Sequence, residues 1–220
     1  DKTLTLRPVG ELTDVAPTIL QLLGLAAPAT MTGHSLVASH NGTVSPVSRL
    51  LLIILDGWGL NENTQGNLIA CSATPVMDSI ADAFPSARLA ASGSAVGLPA
   101  GTVGNSEAGH LHIGAGRRIY SDRVNIDHAI AGGTFCKNEA FLRVMRLTKE
   151  NKTALHLMGI VSFFSSHGSI GHLFTLMEMA HSQGIERLFI HAMLGRRGEQ
   201  AESGVNYIRQ VEEKCRDIGL

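Results

Sequence analysis

The sequence predicts an α/β protein with a mostly parallel sheet. Three observations carry that expectation. Short apolar runs of strand length alternate with longer segments whose apolar residues recur every three or four positions. These segments follow one another as strand, helix, strand, helix, the order that crossover-connected parallel strands require. The composition, 44% hydrophobic and 17% charged over 220 residues, is that of a chain able to bury a core.

The elements follow in order. Residues 11–25, ELTDVAPTILQLLGL, set Val15, Ile19, Leu22 and Leu23 at helical spacing. Thr13 or Asp14 can cap that helix, Pro17 suits its first turn, and Gly24 can end it. Residues 40–48, HNGTVSPVS, are polar with glycine and proline, a linker. Residues 50–55 are apolar on both faces, which predicts a central parallel strand covered by helices and ending at Asp56-Gly57. Residues 74–84, TPVMDSIADAF, predict a capped helix. Residues 95–118 predict a glycine-rich loop with a helix beginning near Ser106. Residues 126–130 and 140–147 are helical pieces, 153–162 a buried strand, 172–182 a helix and 187–194 a strand. In the last segment Val205, Ile208, Val211, Cys215 and Ile218 recur at steps of three and four, a helix. No repeat of solenoid period is present.

Charge and cysteine usage narrow the function classes. The net charge is −1 and no basic stripe marks a nucleic-acid surface. The longest apolar run is far shorter than a membrane span. Cys71, Cys136 and Cys215 lie far apart with no CxxC spacing, so a reduced, cytoplasmic compartment is expected.

Two places carry candidate chemistry. Asp56 stands where the 50–55 strand should end, and ligands of open α/β sheets bind beyond the carboxyl ends of strands. A plain Asp-Gly turn is the alternative. Ser106 lies in GNSEAGH, where glycines permit close backbone approach to a ligand. Backbone N–H groups at a helix start attract phosphate. The Asn105 amide could donate to an oxyanion. A serine hydroxyl is a weak nucleophile and needs a base, a lowered pKa or a metal. An acid such as Asp56 could hold a divalent cation beside it. The spacing is not the G-x-S-x-G elbow, because Ala108 stands two residues after the serine. A glycine-serine turn with incidental polarity is the alternative for this stretch.

LLIILDGWG, TPVMDSI, AVGLP, GNSEAGHLHIGAGRRIYSD and ALHLMGIVS together resemble the cofactor-independent phosphoglycerate mutases of the alkaline phosphatase superfamily. The resemblance implies interconversion of 3-phosphoglycerate and 2-phosphoglycerate through a phosphoserine, usually with two Mn²⁺ ions. Carried onto this chain, it makes Ser106 the nucleophile and a metal contact, and Asp56 a metal ligand. His167 and Arg197 become substrate-binding residues, with Asn105 beside them. The family stretches G-G-V-H-S-H and D-G-R-D stand in this chain as FSSHGS and GRRG. Gly171, Gly195 and Gly198 therefore occupy positions of family aspartates, and Ser169 that of the second histidine. The middle of the family sequence, which supplies most metal ligands, has no counterpart in this chain. His110 and His112 are expected to be solvent or phosphate contacts, His34, His156 and His191 to be structural, and Asp127-His128 is not expected to bind metal.

The resemblance also orders the chain. Residues 1–38 resemble the family's C-terminal end of the phosphatase domain, yet stand first. Residues 39–48 are the linker. Residues 49–125 are the N-terminal part of the phosphatase domain with the nucleophile loop. Residues 126–220 are part of the inserted transferase domain. The implied fold is a partial alkaline-phosphatase-like parallel sheet with helices. A sheet lacking strands leaves open edges, so exposed apolar surface, self-association or a complementing chain is expected. Two other functions remain open: a catalytically inactive remnant or binding protein, and a metal-dependent phosphatase.

Overall fold

A computed structural model describes residues 4–38, 45–162, 168–194 and 202–219. The chain is mixed α/β and divides into two compact units, Asp1–Tyr120 and Ser121–Leu220.

The first unit contains β1 (Val9–Glu11), a 3₁₀ turn (Leu12–Asp14), α1 (Val15–Leu22), α2 (Leu68–Cys71) and α3 (Pro75–Ala83). β2 (Arg88–Ala90), a second 3₁₀ turn (Gly93–Val96) and α4 (Ser106–Ala115) complete it. β1 and β2 pair in parallel, with Gly10 opposite Leu89. These three-residue strands have no apolar run to announce them. The helices expected at 11–25 and 74–84 form as α1 and α3, though neither has a side-chain cap bond at its start, and Gly24 follows α1 with φ at 70°. Of the linker, residues 39–44 lie outside the described residues. Beyond them the Val47 N–H donates to the Leu22 carbonyl at 2.9 Å.

Asp14 stands at the N-cap of α1 but its side chain makes no cap bond to that helix. It is 6% exposed. Its Oδ2 accepts from Arg7 Nη2 at 2.9 Å and from the Glu11 N–H at 3.1 Å, and its Oδ1 accepts from the His34 N–H at 2.9 Å. Arg7 reaches on to the carbonyls of His34 and Ser35. Thr18 Oγ1 donates to the Asp14 carbonyl at 2.6 Å and accepts from the Leu36 N–H at 2.8 Å. One buried carboxylate thus closes the 7–36 segment on itself. The segment docks on the far end of α4, where the Thr32 and Gly33 N–H groups both donate to the Gly116 carbonyl, at 3.0 and 2.9 Å. Gly33 also lets the segment close on itself, since a Cβ there would lie 2.1 Å from the Thr13 carbonyl oxygen.

The expected central strand at 50–55 does not form. Residues 50–55 have no strand partner among the described residues, and Leu51 and Ile53 are 82% and 69% exposed. Apolar composition favours burial, but a strand exists only where a neighbour accepts its backbone hydrogen bonds. β1 and β2 take each other as partners and leave this run without one.

The second unit contains α5 (Asp122–Ala131), α6 (Glu139–Glu150), β3 (Leu155–Ile160), α7 (Ile170–Ser182), β4 (Leu188–Met193) and α8 (Ser203–Ile218). Its strands pair in parallel over six residues, from Leu155 opposite Leu188 to Ile160 opposite Met193, with α7 as the crossover. One sheet face is covered. Met145, Leu155, Met179, Ala180 and Ile185 form one buried cluster, and Val161, Ile170, Met177 and Val211 another. The opposite face carries His156, Met158, Phe189, His191 and Met193, all exposed. The expected buried strand at 153–162 is therefore half-buried, because no layer covers its second face among the described residues.

Burial pushes the Asp14 carboxyl up, but the N–H groups of His34 and Glu11 and the Arg7 guanidinium outweigh it and hold the group below its ordinary value. The stabilisation this gives is complete above the unfolded value near 3.9 and is lost as pH falls through the folded value. Asp14→Asn is expected to cost about 1–3 kcal/mol at neutral pH by leaving buried donors unmatched. The melting temperature of the variant, followed from pH 7 downward, should fall less steeply on acidification than that of the parent.

Candidate functional site

The site forms at the start of α4. The loop before it is pressed against the end of β2: a Cβ on Gly104 would lie 2.1 Å from the Ala91 carbonyl oxygen, so only glycine passes there. Asn105 then takes an extended conformation and caps the helix, its Oδ1 accepting from the Ala108 N–H at 2.8 Å. Ser106 is the first helical residue. Within the glycine-rich 95–118 stretch the helix thus begins at Ser106, where the sequence reading puts it, and runs for ten residues. At a helix start the earliest N–H groups have no intrahelical acceptor, which leaves those of Ser106 and Glu107 at the positive end of the helix dipole.

Ser106 Oγ donates to Asp56 Oδ2 at 2.5 Å, across 50 residues of sequence. Both residues are exposed. Asp56 sits in the turn that ends the apolar run, with Gly57 at φ 83°. The structure therefore brings together three of the sequence candidates: Asp56, Asn105 and Ser106. Asn105 turns its side-chain oxygen to the helix it caps, an acceptor's role at that atom and not a donor's. His167 and Arg197 lie outside the described residues.

The neighbouring histidines divide. His110 is exposed, and its Nδ1–H donates to the Ser106 carbonyl at 2.8 Å. His112 is 1% exposed. Its Nδ1–H donates to the Ala108 carbonyl at 2.7 Å, and its Nε2 accepts from the Ile119 N–H at 3.1 Å. Those partners set one neutral tautomer, with the proton on Nδ1. His112 ties α4 to the chain that leaves it. An H-x-H pair in a polar stretch gives no hint of this, because only the helix separates the two rings onto different faces.

A polar cleft of about 450 Å³ opens beside α4, lined by Arg7, Glu11, Asp14, His34, Arg118 and Tyr120. Sequence reasoning missed Glu11, Arg7 and Arg118. Arg118 Nη2 contacts both oxygens of Glu11, at 2.7 and 2.9 Å, and Arg7 pairs with Asp14. Each cation in this cleft is matched by an acid of the same unit, so its arginines hold the fold and offer little net charge to a ligand.

A carboxylate that accepts from a serine hydroxyl orients it, while activation needs a base or a metal. Asp56 and Ser106 supply two hard oxygen donors of the kind Mn²⁺ favours. Among the described residues no group of three or more His, Cys, Asp or Glu side chains is placed to hold a metal ion. Two donors do not fit a tightly held ion, whose usual complement is larger.

Fold and site together define an α/β protein that presents a serine at a helix start beside a carboxylate. Residues 126–220 match the family model described as the BPG-independent PGAM N-terminus. The chain is 44% identical over 171 residues to the 2,3-bisphosphoglycerate-independent phosphoglycerate mutase of Moorella thermoacetica, covering 78% of this chain and 33% of that protein. It is 42% identical over 170 residues to phosphoglycerate mutase 1 of that type from Methanosarcina barkeri, covering 77% and 33%. It is 42% identical over 179 residues to the enzyme of the same name from Gloeobacter violaceus, covering 81% and 33%. The chain belongs to the 2,3-bisphosphoglycerate-independent phosphoglycerate mutase family and spans about a third of the length of the curated relatives it matches.

Asn105→Ala is expected to remove the cap of α4 and cost roughly 1 kcal/mol of stability to the first unit. Denaturant unfolding of the two proteins should show it as a lower midpoint with an unchanged slope.

Proposed function

We propose that this chain carries the nucleophile half of a phosphoglycerate mutase centre. The observation that carries this is the Ser106–Asp56 contact at the N-terminus of α4. Ser106 Oγ attacks the phosphorus of 3-phosphoglycerate, the bond from phosphorus to the glycerate oxygen breaks, and a phosphoserine forms. The free 2-hydroxyl of the same glycerate then attacks that phosphorus, the bond to Ser106 breaks, and 2-phosphoglycerate leaves. The N–H groups at the start of α4 favour the phosphoryl charge. His167 and Arg197 are proposed to hold the glycerate.

The same proposal assigns residues 1–38 and 49–125 to a partial alkaline-phosphatase-like domain, 39–48 to a linker, and 126–220 to part of the transferase domain. It places the protein in the cytoplasm. Mn²⁺ is the proposed metal, but Asp56 and Ser106 alone do not complete a site for it. The remaining ligands would come from a complementing chain or from sequence beyond the third of the relatives that this chain spans.

That no group of three or more ligating side chains gathers among the described residues favours a second reading, a non-catalytic member that binds phosphorylated ligands. One assay separates the possibilities. The purified chain is incubated with 3-phosphoglycerate and Mn²⁺, and 2-phosphoglycerate and free phosphate are followed together. Formation of 2-phosphoglycerate that Ser106→Ala abolishes is the expected result for the mutase. Serine-dependent free phosphate in its place would identify a metal-dependent phosphatase. No turnover, with or without added metal, would leave the binding protein.

A further inference from the structure

The apolar run at 50–55 lies unpaired at the surface of the first unit. All six of its side chains, Leu50 to Leu55, are exposed. Among the described residues no backbone group of the run makes a backbone hydrogen bond, except that the Leu55 carbonyl accepts from the Trp58 N–H at 3.0 Å. An aliphatic segment with free N–H and carbonyl groups is a template for one more strand. The run carries none of the features that blunt such an edge, since it holds no charge, proline or glycine. β1 and β2 are three residues each, too short to match its length.

The ends of the run decide which strand fits it. Arg49 precedes it and Asp56 follows it, and both are exposed. None of the ion pairs among the described residues involves either of them. Two copies of the run laid antiparallel bring the cation at the start of one to the carboxylate at the end of the other, twice by symmetry. Laid parallel, they would set Arg49 against Arg49 and Asp56 against Asp56. Directly opposed side chains of an antiparallel pair share a face, so a two-fold axis places one residue opposite itself. About Ile53 it sets Leu51 against Leu55 and Leu52 against Ile54, and these opposed pairs are all aliphatic. Arg49 then falls beside Asp56 of the second copy, one position on.

We propose that residues 50–55 are a self-pairing strand: two copies of this chain join antiparallel across it, centred on Ile53, with Arg49 and Asp56 closing each end. The contact uses the Asp56 oxygen that Ser106 does not, since Ser106 bonds Oδ2. It stands independently of phosphoglycerate mutase activity.

The test is sedimentation of the purified full chain over a concentration series, under reducing conditions so that no disulfide joins Cys71 or Cys136. A monomer–dimer equilibrium is expected. Hydrogen exchange read by mass spectrometry should find the amides of 51–55 exchanging freely in dilute protein and protected in concentrated protein. Ile53→Lys sets like charges opposite each other and should weaken the dimer at least about tenfold. Arg49→Asp should weaken it too, and adding Asp56→Arg should restore it, a rescue that antiparallel pairing gives and parallel pairing does not. Leu68→Lys, on α2 at a residue 79% exposed, is the control and should dimerise as the parent does. Far-UV circular dichroism checks that each variant keeps the fold. A chain that stays monomeric at every concentration would overturn the proposal. So would a dimer unaffected by Ile53→Lys, a dimer whose 51–55 amides stay unprotected, or open-ended aggregation with no dimer.

Discussion

The first unit depends on one buried negative charge. Asp14 gathers two N–H groups and a guanidinium, and without them a carboxylate at 6% exposure would be prohibitively costly. That satisfied charge sets where the chain turns back at His34. The turn in turn sets where Thr32 and Gly33 reach the end of α4. The start of α4 is therefore positioned from its far end, by a segment some seventy residues earlier in sequence. Arg118 and Glu11 close the same bracket a second time. The same segment packs against α4 through its 3₁₀ turn and α1.

The two halves of the serine–carboxylate pair are held very differently. Ser106 is fixed by a capped helix, by the Gly104 passage and by His112 behind it. Asp56 follows an apolar run with no strand partner among the described residues, anchored upstream at Val47. One partner is rigid and the other hangs from the contact itself. An exposed hydrogen bond of this kind is a modest tether, worth about 1–3 kcal/mol when one member is charged and less where water competes.

Periodicity made the helices legible. Val15, Ile19 and Leu22, and again Ile208, Val211, Cys215 and Ile218, each need one covered face, and the helix period aligns them. β3 and β4 were legible from apolar runs of the right length. The 50–55 run carried the same signal and formed no strand, because hydrophobicity reports a wish for burial and says nothing of whether a neighbour is at hand. β1 and β2 were illegible for the converse reason: their pairing is a matter of backbone and of Gly10, with too few side chains to leave a pattern. At the site, Ser106, Asn105 and Asp56 could be singled out from glycine context and chain position. The roles of Asp14 and His112 could not, since each depends on partners that only folding supplies.

The unpaired run has a consequence for the site it leads into. Any strand that pairs with residues 50–55 would fix the backbone up to Asp56 and relieve the Ser106 contact of that task. The ordering cost would then be met in advance, and a ligand that needs both side chains would bind more tightly. By reciprocity such a ligand would strengthen the strand pairing by the same factor. Pairing of the 50–55 run and occupancy of the serine site would thus be thermodynamically linked through six aliphatic residues that lie outside the serine site itself.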